Sequence, residues 1–192
     1  MLRDLVIQSR SYRSFDESRR VGREELLEFI DTARCCPSAV NLQPLKYRIV
    51  YEPDEVEELL GMTHWAGLLP DVKLPPDGHH PTAFITVCAD TSVTSNLDNA
   101  RFDAGTASQT ILLAATEAGF GGCLIGAFRE EEVAPFLRLP KKLKPIVLIA
   151  LGVPDEFVIL CDLPASGSTK YYRDKANVHY VPKRSLKEIV IE

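Results

Sequence analysis

No two of the five cysteines in this 192-residue chain stand in a C-x-x-C arrangement, and their number is odd. A disulfide framework and a zinc site are therefore both disfavoured. Cys88 and Cys123 lie in apolar or glycine-rich runs and read as small buried hydrophobes; the vicinal Cys35 and Cys36 leave a redox-active pair open. Long apolar runs are missing too. The longest uncharged helical stretch, Ala104 to Thr116, falls short of the ~20 residues that span a bilayer. Arg3 and Asp4 interrupt the first ten residues, so no secretory leader is expected and the expected location is cytoplasmic. There is no G-x-x-x-x-G-K-[ST] phosphate loop and no G-x-S-x-G nucleophile elbow. Leu124 stands where a dinucleotide fingerprint beginning at Gly119 would need its third glycine. His79 and His80 are adjacent in a proline-rich loop, a poor arrangement for chelating one metal, so no metal site is expected. No hydrolytic triad can be assembled, and no acid–base catalytic residue is assigned.

What is present is ordinary globular composition, with 45% hydrophobic and 26% charged residues. This length favours one domain over residues 1–192. The net charge of -5 argues against nucleic acid as a partner. Basic residues nevertheless crowd both ends, from Arg3 to Arg23 and from Lys170 to Lys187. If the ends meet, they make a local anion site.

Leu26, Leu27, Ile30 and Ala33 share a face at helical spacing, so Glu24 to Cys36 is expected to be a helix that Pro37 ends. Further helices are expected over Asp4–Gln8, Asp54–Met62, Leu97–Ala118 and Glu130–Arg138. The third of these four is apolar on all sides at Ile111–Ala115 and is expected to be central. Strands are expected at Tyr47–Tyr51, Phe84–Ala89 and Ile146–Val153, the last at the sheet centre. The tail from Lys183 ends in Ile189, Val190 and Ile191 and reads as a strand-like arm. The segment 61–82 is irregular, with Trp65, Leu68 and Leu69 as apolar anchors; such a long loop is usually functional. The element order implies an α+β fold, a central sheet with helices packed around it.

Four segments carry polar chemistry. Arg10-Ser11-Tyr12-Arg13 places two guanidinium groups beside a hydroxyl, which suits phosphate oxygens; taken alone, a solvated basic turn explains it better. Pro37-Ser38-Ala39-Val40-Asn41-Leu42-Gln43-Pro44 offers a hydroxyl and two amides, fit for a heterocycle edge or for an ordinary polar loop. Gly119 to Phe128 lets backbone approach a flat ligand, or simply caps a helix and turns. Lys183-Arg184 is by itself a solvated pair.

In this order, the four segments resemble the nitroreductase family of FMN-dependent oxidoreductases, over nearly the whole chain. Ser9-Arg10-Ser11-Tyr12-Arg13-Ser14-Phe15 is similar to R-R-S-x-R-x-F. Cys36 to Pro44 is similar to A-P-S-A-G-N-x-Q-P. Asp103 and Gly105, followed by Gly119 to Gly126, match D-x-G and G-x-G-x-C-x-I-G. Lys183 to Val190 matches a basic pair followed by L-x-E-I-V. Ser9 replaces a common arginine and Val40 a common glycine.

The resemblance implies a mostly antiparallel central sheet surrounded by helices, and a homodimer that exchanges a C-terminal arm and holds FMN at its interface. Arg10, Ser11, Arg13, Lys183 and Arg184 would hold the phosphate and ribityl chain, with Tyr12 beside them. Pro37, Ser38 and Ala39 would lie along the ring, and Asn41 and Gln43 at its polar edge. Leu124, Ile125 and Gly126 complete the implied contacts, the last two near N5. NADH or NADPH would be the reductant and a small electron-poor molecule, such as a nitroaromatic or quinone, the acceptor. Reductive dehalogenation, flavin cleavage, a non-enzymatic flavin module and a flavin-free interaction protein remain alternatives.

Overall fold

A computed structural model describes residues 1–192. The longest strand, β5 (Leu143–Pro154), organises the main sheet. Both β3 (Ala83–Asp90) and β4 (Gly121–Ile125) pair antiparallel with overlapping residues of β5, so they occupy its opposite edges. The short β1 (Phe15–Asp16) pairs with the end of β5, and β2 (Leu45–Val50) pairs with β3. All these pairings are antiparallel. A second, smaller sheet joins β6 (Val158–Asp162), β7 (Tyr172–Arg173) and β8 (His179–Lys183) in the order β6-β8-β7.

Strand alternation divides the core between the two sheet faces. Ile85, Val87, Ile149 and Leu151 point to one side, where α2 (Arg23–Ala33) packs with Leu26 and Phe29 and α4 (Leu97–Glu117) with Ala104, Ala107 and Ile111. Phe84, Leu148 and Ala150 point to the other, against Val56 and Leu59 of α3 (Pro53–Leu60) and Val133 of α5 (Glu130–Phe136). Each fully buried aliphatic or aromatic side chain contributes about 1.5–3 kcal/mol. The expected α+β layering is therefore observed, with β5 at its centre. In α4, Asn96 caps the first turn by accepting from the backbone N–H groups of Asp98 and Asn99. Small residues along one face of this helix let it lie close to the sheet. No helix is long and apolar enough to cross a membrane.

Two expectations need correction. The glycine-rich segment after α4 is not only a turn: Gly119 turns the chain at φ 82°, and Gly121 onward is strand β4. The tail is also not a strand to its end. Strand β8 stops at Lys183, and α6 (Leu186–Ile189) follows because Glu188 accepts from the Ser185 N–H and hydroxyl at 2.8 and 2.9 Å. The three strands of the small sheet lie in segments given no strand by the sequence reading, apart from Lys183 itself. The two-residue β1 was likewise not expected; the other elements occur where expected, with α1 at Leu2–Gln8 and shifts of a few residues at their ends.

Glycine is required within β4. A methyl group at Gly122 would collide with the Ala150 carbonyl oxygen and approach Leu112 Cδ2 to 2.8 Å. The nearest obstacle is backbone, which cannot swing aside as a side chain can. Gly122→Ala should therefore cost at least about 2 kcal/mol, read as a lower urea midpoint at unchanged slope.

Candidate functional site

The N-terminal basic segment leaves α1 and runs beside β4. The Tyr12 N–H donates to the Gly122 carbonyl at 3.0 Å, and Ser11 forms a parallel bridge with Gly122. A methyl at Gly121 would come within 2.6 Å of the Tyr12 ring, so this approach needs a glycine. Two segments 110 residues apart in sequence thus become neighbours through backbone pairing alone. Tyr12 donates its hydroxyl to the Gln8 carbonyl at 2.7 Å, and burial raises its phenol pKa.

The two arginines of this segment are not paired with carboxylates through their side chains. Arg10 donates from Nη2 to the Val6 carbonyl, while its buried Nε has no hydrogen-bond partner. Burial lowers its pKa, with the charge on Tyr12 opposing that shift. Arg13 donates from Nη1 to the Ser11 carbonyl at 3.0 Å, and its guanidinium lies 5.1 Å from the centre of the Tyr171 ring. Burial raises the Cys123 thiol, while the charge of Arg13 and the Ser11 hydroxyl counter it.

The second segment begins where α2 ends. Asp103, almost fully buried on α4, accepts from the Ser38 hydroxyl at 2.6 Å and from the Ala39 N–H at 3.2 Å. The Ser38 hydroxyl oxygen in turn accepts from the Gln43 N–H at 2.9 Å, and the Gln43 amide donates to Asn41 Oδ1 at 3.1 Å. Between these ties the backbone turns through Val40, Asn41 and Gln43 at φ 46°, 55° and 51°. This left-handed region disfavours β-branched residues, and Val40 is 88% exposed, with little packing to offset the strain. The chain therefore keeps a glycine-like backbone without the glycine. A cavity of about 190 Å³ opens beneath Pro37 and Ser38, bounded by Cys36, Tyr47 and Asp103. Burial, with the charges of Cys36 and Asp103, pushes the Tyr47 phenol up to about 12, so it remains a donor at neutral pH.

Leu124 and Gly126 are exposed at the end of β4, and Ile125 between them is buried. The irregular segment is rooted beside them: Thr63 bridges Phe128, and the His64 N–H donates to the Ala127 carbonyl at 2.8 Å. Trp65 packs on the core and donates to the Thr63 hydroxyl at 2.8 Å. Lys183, the last residue of β8, and Arg184 just after it are exposed, with Arg184 facing Glu188 at 3.6 Å. No hydrogen bond or ion pair within one chain links Lys183 or Arg184 to Arg10 or Arg13. Thus hydrogen bonds within one chain join the N-terminal and glycine-rich segments, and none ties either of them to Pro37–Gln43 or to Lys183-Arg184.

The comparisons with known proteins fit this geometry. A family model described as the nitroreductase family matches residues 6–76 and 90–153. The chain belongs to the nitroreductase family. A Methanothermobacter thermautotrophicus relative, provisionally named NADH dehydrogenase/NAD(P)H nitroreductase, is 30% identical over 151 residues, 77% of this chain and 74% of its own. The fold is that of nitroreductases. A nitroreductase family protein from Streptococcus pneumoniae superposes with a TM-score of 0.72 at 20% identity, covering 100% of both chains. An FMN-dependent nitroreductase from Clostridium difficile gives 0.65 at 22% identity, over 79% of this chain and 87% of its own.

The sequence reading missed the cluster behind Arg13. Glu156 accepts the Arg13 N–H on one carboxylate oxygen and pairs with Arg173 through the other; the Arg173 and Glu156 side chains are 6% and 2% exposed. His179, 1% exposed, packs against Tyr171 with ring centres 5.1 Å apart and planes tilted by 38°, and has no hydrogen-bond partner on either ring nitrogen. No local motif announces these contacts, because the partners come from distant parts of the chain.

Two predictions follow from backbone and charge. Val40→Gly should stabilise by about 1 kcal/mol through relief of the left-handed strain, whereas Asp103→Asn should lower Tm and expose residues 37–43 to limited proteolysis. Burial, with Arg13 and Arg173 nearby, lowers the His179 pKa to about 4, against about 6.5 in an unfolded chain. Between those values the unfolded state holds the extra proton, so stability should fall as pH drops through that window and level off below it. His179→Phe should flatten this part of the urea-midpoint profile relative to the parent chain.

Proposed function

We propose that the chain is a cytoplasmic, single-domain FMN-dependent NAD(P)H oxidoreductase of the nitroreductase type, working as a homodimer. The observation that carries this reading is the Arg10 guanidinium: a buried, unpartnered Nε beside a second arginine without a side-chain carboxylate partner, in a chain of net charge -5. An acidic protein that leaves two neighbouring cations without acids has room there for an anion, and a phosphate suits guanidinium donors. The residues therefore fit the phosphate end of FMN. Family membership and the FMN-dependent neighbour support the identity of the ligand.

In this reading Arg10, Ser11 and Arg13 hold the phosphate, with Tyr12 fixing their backbone against β4. Leu124, Ile125 and Gly126 offer a strand end with little side-chain bulk at its last position. Pro37, Ser38, Ala39, Asn41 and Gln43 come from the partner subunit, already set in shape by Asp103. The exposed Lys183 and Arg184 reach the phosphate and ribityl chain when the C-terminal arm is exchanged. Unpartnered apolar side chains support the dimer: α1 buries none of its residues, Phe102 on α4 is 77% exposed, and Leu186, Ile189 and Ile191 are exposed on the tail.

Bound there, FMN would supply the redox chemistry, hydride transfer at N5 from NADH or NADPH and ping-pong reduction of an electron-poor acceptor such as a nitroaromatic or quinone. The chain's own part is to hold the phosphate, orient the ring and restrict water. The segment from Gly61 to Thr82, rooted by Thr63 and His64 against Phe128 and Ala127, forms one wall of the acceptor pocket.

The purified protein should carry flavin absorbance and bleach on anaerobic titration with NADH or NADPH. Arg10→Ala should weaken FMN binding by roughly 10- to 100-fold, read by fluorescence titration. Removing residues 66–80 should change acceptor kinetics while leaving FMN bound. A colourless protein that takes up no FMN would sink the proposal.

A further inference from the structure

Residues 154–192 lie beyond the part matched by the family model, yet the small sheet they form reaches back to the N-terminal basic segment. The contact is specific. The Arg13 guanidinium carbon lies 5.1 Å from the Tyr171 ring centre, and the same ring packs at a tilt against His179, centre to centre 5.1 Å. On the backbone side, the buried Glu156 carboxylate is shared between the Arg13 N–H and Arg173. Burying such an ion pair is costly unless its geometry is well satisfied, and here both carboxylate oxygens are used.

The choice of partners has a physical consequence. A carboxylate facing the Arg13 guanidinium would fix it but would also neutralise it. An aromatic face attracts the cation through its quadrupole and leaves the full positive charge available to an incoming anion. Glu156 engages the Arg13 backbone and is committed to Arg173. His179, sealed behind Tyr171, contributes a flat neutral surface and no competing carboxylate.

We propose that Tyr171 is a positioning residue for the anion site: its ring holds the Arg13 guanidinium in place without discharging it, while Glu156, Arg173 and His179 fix the ring and the Arg13 backbone from behind. The inference rests on the reading that Arg13 holds the FMN phosphate. It gives the C-terminal sheet a part in cofactor affinity. The Tyr171 hydroxyl also receives the Leu68 N–H at 3.4 Å, a longer tie to the irregular segment that is separable from the ring's effect.

The test is a set of fluorescence titrations of the full chain with FMN and with riboflavin, which lacks the phosphate. Tyr171→Phe keeps the ring and should bind FMN within about twofold of the parent chain. Tyr171→Leu should weaken FMN binding by roughly 3- to 30-fold, the range of a partly desolvated cation–π contact, and leave riboflavin unchanged. In an Arg13→Ala background, Tyr171→Leu should add nothing. Equal losses for FMN and riboflavin would mark general damage to the fold and overturn the inference, as would unchanged FMN affinity in Tyr171→Leu. Failure of the parent chain to bind FMN would overturn the proposed function and this inference with it, whereas the other two failures would leave the proposed function standing.

Discussion

The main sheet depends on the backbone of β5 being engaged on both edges. β3 takes one edge and β4 the other, and β1 joins near the end. Such a strand has no free row of donors and acceptors along its middle, and its side chains feed both core layers. The position of the N-terminal arginines follows from it. β4 is held by β5, the Ser11–Tyr12 backbone is held by β4, and Arg10 and Arg13 flank that point of attachment. The basic segment is thus placed by main-chain hydrogen bonds, with its arginine side chains left free of acidic partners.

The parts of the fold that could be read from sequence are those whose pattern is local. The face of Leu26, Ile30 and Ala33 specifies a helix because 3.6-residue spacing has no other use in a soluble core. The continuous apolar run through Ile149 specifies a strand buried on both sides. β4 was hidden because Gly121 and Gly122 have poor strand propensity, and only the close approach of Tyr12 and of the neighbouring backbone explains them. The tail misled for the opposite reason. Ile189, Val190 and Ile191 have high strand propensity, but the Ser185–Glu188 cap starts a helical turn before they are reached. That S-x-x-E signal was present in the sequence and outweighs propensity there.

For the candidate site, the segments could be recognised but their supports could not. Ser38 and Asn41 stand out as polar residues between prolines. Asp103 is in principle visible as a carboxylate on an otherwise apolar helix face, beside Ala100, Ala104 and Ala107, yet nothing local tells which loop it holds. Glu156, Tyr171, Arg173 and His179 give no warning at all. Their meaning lies in mutual distance, which depends on how the small sheet folds back over the N-terminal segment. Residues that touch a ligand tend to leave motifs, whereas residues that hold them can be drawn from anywhere in the chain.

Trp65 is the only indole in the chain, and it sits at the root of the irregular segment with its ring nitrogen tied to Thr63. Excited at the red edge of the aromatic band, where tyrosine scarcely absorbs, the protein emits from this one position. Its quantum yield and emission wavelength therefore report solvent access at the root of the irregular segment, just past α3. The chain carries its own single-site optical probe, without a label or an engineered residue.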